Sequence, residues 1–117
     1  MSTAEEQIAA VAAAPATDDP GARALAAAGL SDTLAIGVAG MRAPAAAKVR
    51  SVLEPLPELR GVPTWRGQER YAATDVALVH GTACHSLDWD DFMHPMHGHC
   101  SSVLLPALWG LAEQSGR

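Results

Sequence analysis

Tyr71-Ala72-Ala73-Thr74-Asp75-Val76-Ala77-Leu78-Val79-His80-Gly81-Thr82-Ala83-Cys84-His85-Ser86-Leu87 sets the fold class. Val76, Val79, Ala83 and Leu87 recur at spacings of three and four, the stripe of an amphipathic helix. The spacing predicts a helix from Tyr71 to about Leu87 or Trp89. Its middle, Gly81-Thr82-Ala83, is thin enough to let a second helix lie close.

Downstream, a polar loop over residues 90–99 leads into a final helix marked by Leu104, Leu108 and Leu111, with Trp109 beside them. Pro106 must fall in the first turn of that helix or kink it. Upstream, residues 54–70 carry three prolines and two glycines and read as a connecting loop with at most a short extended piece. Ala45 to Leu53 is helical, started by Pro44 and ended near Pro55 and Pro57. Ser31 or Asp32 can cap the preceding element, where Gly37 and Gly40 mark a close helix approach. Residues 22–29 form a short helix ended by Gly29. Residues 1–21 read as a weakly ordered arm with at most one short helix over 4–14, because Pro15, Asp18, Asp19, Pro20 and Gly21 interrupt the chain. The chain therefore reads as all-α, with an arm at 1–21 and a helical body at 22–117.

Composition agrees. The 117 residues are 49% apolar but only 4% aromatic. About two dozen are Ala, which favours small-residue helix packing over a sheet sandwich. Eight basic against 13 acidic side chains give a net charge of −5. The basic residues are scattered, so no stripe exists to neutralise phosphates, and nucleic acid is not an expected partner. Cys84 and Cys100 are too few for a disulfide scaffold and lack CxxC spacing, which makes a reduced, cytoplasmic setting the default. Glu5 and Glu6 stand where a signal peptide needs positive charge. No apolar run is expected to span a membrane.

All five histidines, His80, His85, His94, His97 and His99, fall in one twenty-residue window, with Asp88, Asp90 and Asp91 among them. This window joins a helix C-terminus to a helix N-terminus. Free N–H groups at a helix starting near Ser101 or Ser102 would receive a carboxylate. Imidazoles would move a proton, with a carboxylate such as Asp88 orienting one of them. The substrate's other charges would need cations that the window lacks. A rival reading makes Asp88, Asp91, His94, His97 and His99 ligands for zinc, nickel or non-haem iron. The plainest reading is a solvated loop whose acids cap helices and whose histidines pack on Trp89 and Met96. His80, on the apolar helix, is expected to be buried packing. Cys84 is expected in the core, and Cys100 is a weak candidate nucleophile.

Asp32-Thr33-Leu34-Ala35-Ile36-Gly37-Val38-Ala39-Gly40 resembles the D-T-L-G-x-x-x-A-G stretch near the start of MmgE/PrpD proteins. His80-Gly81-Thr82-Ala83-Cys84-His85-Ser86-Leu87-Asp88-Trp89-Asp90-Asp91 resembles that family's N-G-x-x-x-H-x-x-D-F-D-D block. His99-Cys100-Ser101-Ser102-Val103-Leu104-Leu105-Pro106-Ala107 is similar to its H-P-S-x-x-x-x-P-A block. The family includes 2-methylcitrate dehydratase, cis-aconitate decarboxylase and an iminodisuccinate epimerase, which move protons on small polycarboxylates without an iron-sulfur cluster.

The resemblance implies the helical part of a large helical domain, with the family's α+β lid outside this stretch, no cofactor, and a dimeric habit. It implies Asp88 and His99 as catalytic residues, with Asp91 nearby in a structural role. From the residues of the window, Asp91, His97, Phe92 and Ser101 are expected as substrate-binding or supporting groups. Three departures stand out: Phe92 replaces a Thr, the Asp88 to His99 interval is one residue longer, and Cys100 replaces a Pro. Phe92, Met93 and Met96 add apolar surface that would suit a substrate less polar than citrate.

The expectation is therefore a small subunit of a split enzyme catalysing dehydration, decarboxylation or isomerisation of a carboxylate. A second protein chain would bring further helices, cations and the lid. A non-catalytic stabilising or regulatory partner of such an enzyme, or a His/Asp metal-binding protein, are the alternatives.

Overall fold

A computed structural model describes residues 2–14, 18–58 and 60–116. The described residues form five α-helices: α1 (Ala4–Ala13), α2 (Pro20–Gly40), α3 (Pro44–Arg50), α4 (Ala73–His85) and α5 (Ser101–Ser115). Between α3 and α4 lies a two-residue antiparallel pair, β1 (Val62–Pro63) with β2 (Arg70–Tyr71), where Val62 faces Tyr71. The chain is thus mostly helical, and the short extended piece in the 54–70 loop is this pair.

Helix α1 begins with a capping box: the Thr3 hydroxyl accepts from the Glu6 N–H at 3.2 Å, and the Glu6 carboxylate accepts from the Thr3 N–H at 2.9 Å. Pro15 lies outside the described residues. Pro20 and Gly21, read from sequence as a break, are instead the first turn of α2. The Asp19 carboxylate caps the Gly21 N–H at 2.9 Å, and Pro fits a first-turn position whose N–H would be unpaired anyway.

Helix α2 then runs unbroken through Gly29. Ser31 and Asp32 do not cap a new element: the Ser31 hydroxyl donates back to the Ala27 carbonyl at 2.9 Å within the helix. The surrounding Ala-rich sequence tolerates the roughly 1 kcal/mol that an interior Gly costs. This continuity gives 21 residues with a most apolar 18-residue window of mean hydropathy 1.2, long and apolar enough to cross a membrane by length and composition. Thr33, Ile36, Gly37 and Gly40 of α2 are nevertheless buried within the protein.

Helix α4 is the centre. Val76, Val79 and Ala83 of its stripe are fully buried, and it packs against α2, α3 and α5. A Cβ on Gly40 would run into the Ala83 carbonyl, which is why α2 can touch α4 only at a glycine. Met41, Ala46, Val79 and Ala83 form one apolar cluster, and Val62, Tyr71 and Val76 a second beneath the strand pair.

The final helix reverses the expected facing. Leu104, Leu108 and Leu111 do not form its packed stripe: they are 60%, 62% and 60% exposed. The face turned inward is Ser102, Pro106 and Gly110, spaced by four, with Gly110 tight against the Ala73 carbonyl. Small residues win that face because the helices approach closely, so leucines there would overfill the interface. Pro106 falls in the second turn of α5, one turn later than the first-turn alternative.

Candidate functional site

Helix α4 ends at His85, with Ser86 as its cap, and the chain then turns through Asp88 in the left-handed region at φ 53. Asp tolerates this conformation better than most L-residues. The turn reverses the chain so that Asp90 comes back under the end of α4. His85 Nδ1 lies 3.1 Å and 3.0 Å from the two Asp90 carboxylate oxygens. His99 Nδ1 lies 3.3 Å from Asp90 Oδ2 but is not aligned for a hydrogen bond, and no partner satisfies that buried nitrogen. The two imidazoles meet edge to face, centroids 4.6 Å apart.

The Asp90 side chain is only 1% exposed. Burial alone would raise its carboxyl, but hydrogen bonds from His85, Ser102 and the backbone, together with the His85 charge, outweigh it and hold the group below the usual range. Asp90 is therefore an anion under the two histidines at neutral pH. Because His85 faces it through Nδ1, a neutral His85 carries its proton there and keeps Nε2 as a lone-pair base.

His85 and His99 look into an open, mainly apolar cleft of about 650 Å³ between α4 and α5, which Ala77, Leu78, Gly81 and Val103 also line. No lysine or arginine lines it among the described residues. Phe92, Met93 and Met96 are absent from its wall, so the less polar substrate they suggested finds no support in this cleft. Phe92 instead stands over the loop, its ring 5.9, 6.4 and 5.5 Å from those of His94, His97 and His99.

The remaining sequence-predicted groups separate from this centre. Asp88 is exposed, and the carboxylate hydrogen-bonded to an imidazole is Asp90, which holds His85. Asp91 accepts the Ser101 backbone N–H at 3.0 Å, so the start of α5 is served by the protein's own carboxylate where a substrate carboxylate had been expected. His97 is exposed at φ 48, closing a single 3₁₀ turn over His94–Met96. The metal-ligand set read from sequence is not assembled: among the described residues, the group whose donor atoms come within 4.8 Å of one another is His85, Asp90 and His99. Sequence reasoning passed over His85 and Asp90 as functional residues. Their spacing alone could not have found them, because the pairing depends on the left-handed turn at Asp88.

His80 is fully buried, stacked on Trp65 at 3.7 Å between centroids, and burial pushes it down to about 4. It packs, as its place on the apolar stripe predicts. Cys84 is buried with its thiol on the Thr33 carbonyl, and burial, with the nearby Asp90 charge, raises it to about 11.

The model of the MmgE/PrpD N-terminal domain matches residues 6–117. This chain belongs to the MmgE/PrpD family. The match spans all five helices except the first two residues of α1, and it includes the His85, Asp90 and His99 centre. No curated protein and no solved structure matches the chain. MmgE/PrpD membership agrees with the three motif blocks and with the helical fold.

Proposed function

We propose that this chain is the N-terminal helical part of an MmgE/PrpD-type enzyme that moves a proton on a small carboxylate, and that a second protein chain completes the site. The observation that carries this reading is the pairing of His85 and His99 over the buried Asp90 at the mouth of an otherwise apolar cleft. A carboxylate behind an imidazole fixes its tautomer and supports the imidazolium formed on proton uptake.

His99 is the proposed proton-transfer residue, acting through Nε2, the nitrogen turned away from Asp90. His85, hydrogen-bonded to Asp90, holds the pair together and can share the proton. Asp88 is proposed as the second catalytic group on the family resemblance alone. Dehydration and isomerisation begin with such a transfer, and decarboxylation ends with one, the protonation of the carbanion left when carbon dioxide departs. The site operates without a cofactor in this reading, in a cytoplasmic setting, with α2 a packing helix.

The partner is argued from two features. A carboxylate substrate needs cations, and the described cleft wall has none. The leucine edge of α5 is also exposed and continuous enough to receive another helix. The test is replacement of His99 by Asn in the assembled enzyme. Loss of turnover with the complex intact supports the reading, and unchanged turnover makes the chain a scaffold.

A further inference from the structure

Next to the histidine pair lies a second group of ligands that the proton-transfer reading does not use. The Cys100 thiol lies against the thioether sulfurs of both Met93 and Met96. Cys100 Sγ lies 3.1 Å from Met96 Sδ and 3.8 Å from Met93 Sδ. Metal–sulfur bonds of about 2.3 Å, the length found for Zn–S, let one ion join sulfurs up to about 4.6 Å apart. Both distances fall inside that reach.

The backbone builds this arrangement. The Met93 N–H donates to the Gly98 carbonyl at 2.8 Å, and the two residues form an isolated antiparallel bridge. Inside it, the 3₁₀ turn over His94–Met96 and the left-handed His97 set the chain so that both thioethers reach Cys100. Cys100 then sits at the head of α5, held in place by the Asp91 cap on Ser101. Burial does not explain the methionines, which are 45% and 62% exposed. One thiol and two thioethers form a soft donor set, the kind that selects Cu(I) over zinc, magnesium or calcium.

We infer that Met93, Met96 and Cys100 form a binding site for a soft monovalent cation, Cu(I) being the physiological candidate. Cu(I) bonds to the Cys100 sulfur, the S–H bond breaks, and its proton passes to solvent; the two thioethers donate lone pairs and no electron changes hands. The charge of the cation is cancelled by the single thiolate. Cys84 takes no part, because it is buried on the Thr33 carbonyl. The site is independent of the proton-transfer reading, since neither His85 nor Asp90 contributes to it.

The experiment is anaerobic titration of the reduced full chain with Cu(I) against a chromogenic Cu(I) chelator, with Ag(I) as a redox-inert second probe. One equivalent of either ion should bind. Cys100→Ser should abolish this binding. Met93→Leu with Met96→Leu conserves volume and is expected to keep the fold, which circular dichroism checks. That double variant should weaken Cu(I) binding at least tenfold. Wild-type affinity in the methionine variant would overturn the inference. So would loss of binding in His94→Asn with His97→Asn while the methionine variant still binds.

Discussion

The backbone N–H of Trp65 donates to Nε2 of His80 at 3.0 Å, tying the strand-pair loop to the middle of α4 while the indole stacks on the same imidazole. An Nε2 that accepts must be unprotonated, so a neutral His80 carries its hydrogen on Nδ1, which is buried without a partner. Protonation would therefore break the Trp65 bond and place a charge in the core.

Stability should fall with acid for this reason. His80 titrates near 4 when folded against 6.5 as its ordinary value, so the unfolded chain binds the extra proton between those limits. The folded state keeps its full advantage above pH 6.5 and loses it as pH falls toward 4, by about 3 kcal/mol in all. Urea melts across that range should show the slope, and His80→Gln, which keeps an acceptor without a titration, should flatten it.

Two glycines of α2 should respond in opposite directions. A Cβ on Gly29 meets nothing within 4 Å, so Gly29→Ala should stabilise by about 0.5–1 kcal/mol through helix propensity. Gly40→Ala drives a methyl group into the Ala83 carbonyl and should destabilise by about 1–3 kcal/mol. Thermal melts of the two variants check both the continuity of α2 and its approach to α4.

Asp91 and Asp90 are adjacent in sequence and should behave differently. Asp91→Ala removes the acceptor at the start of α5 and should cost about 1 kcal/mol, as loss of a helix cap does, without changing the imidazole tautomers.

Asp90→Asn removes the anion beneath His85 and His99. Nitrogen NMR of the imidazoles should show neutral His85 as the Nδ1–H tautomer in the wild type and a mixture of tautomers in this variant. An identical tautomer in both would show that Asp90 does not orient the ring.

The sequence carried the fold class because the stripe Val76, Val79, Ala83 follows directly from helical periodicity, and α4 buries it. The glycines were legible too, since Gly37 and Gly40 in a helix need a reason, and a close neighbour supplies it. Two elements were not legible. Gly29 reads as a terminator locally, but its Ala-rich flanks and the Asp19 cap keep one helix running past it.

The leucines of α5 looked like a core stripe because periodicity shows which residues share a face and not which face is covered. Close packing against α4 selected the small face instead. At the site, the histidine cluster was visible as a concentration in one window. That Asp90, and not Asp88, lies beneath it depends on the left-handed turn at Asp88, which no spacing rule reveals.

In the proposed function His99, paired with His85 over Asp90, transfers a proton in a site completed by another chain. The direct measurement is turnover by the complex recovered under native conditions with a tag on this chain, comparing wild type with His99→Asn. The expected result is a complex whose second chain carries the remaining MmgE/PrpD elements, active with wild type, and inactive but still assembled with His99→Asn. A monomeric chain with full activity on its own, or a His99→Asn complex that turns over as wild type does, would contradict it.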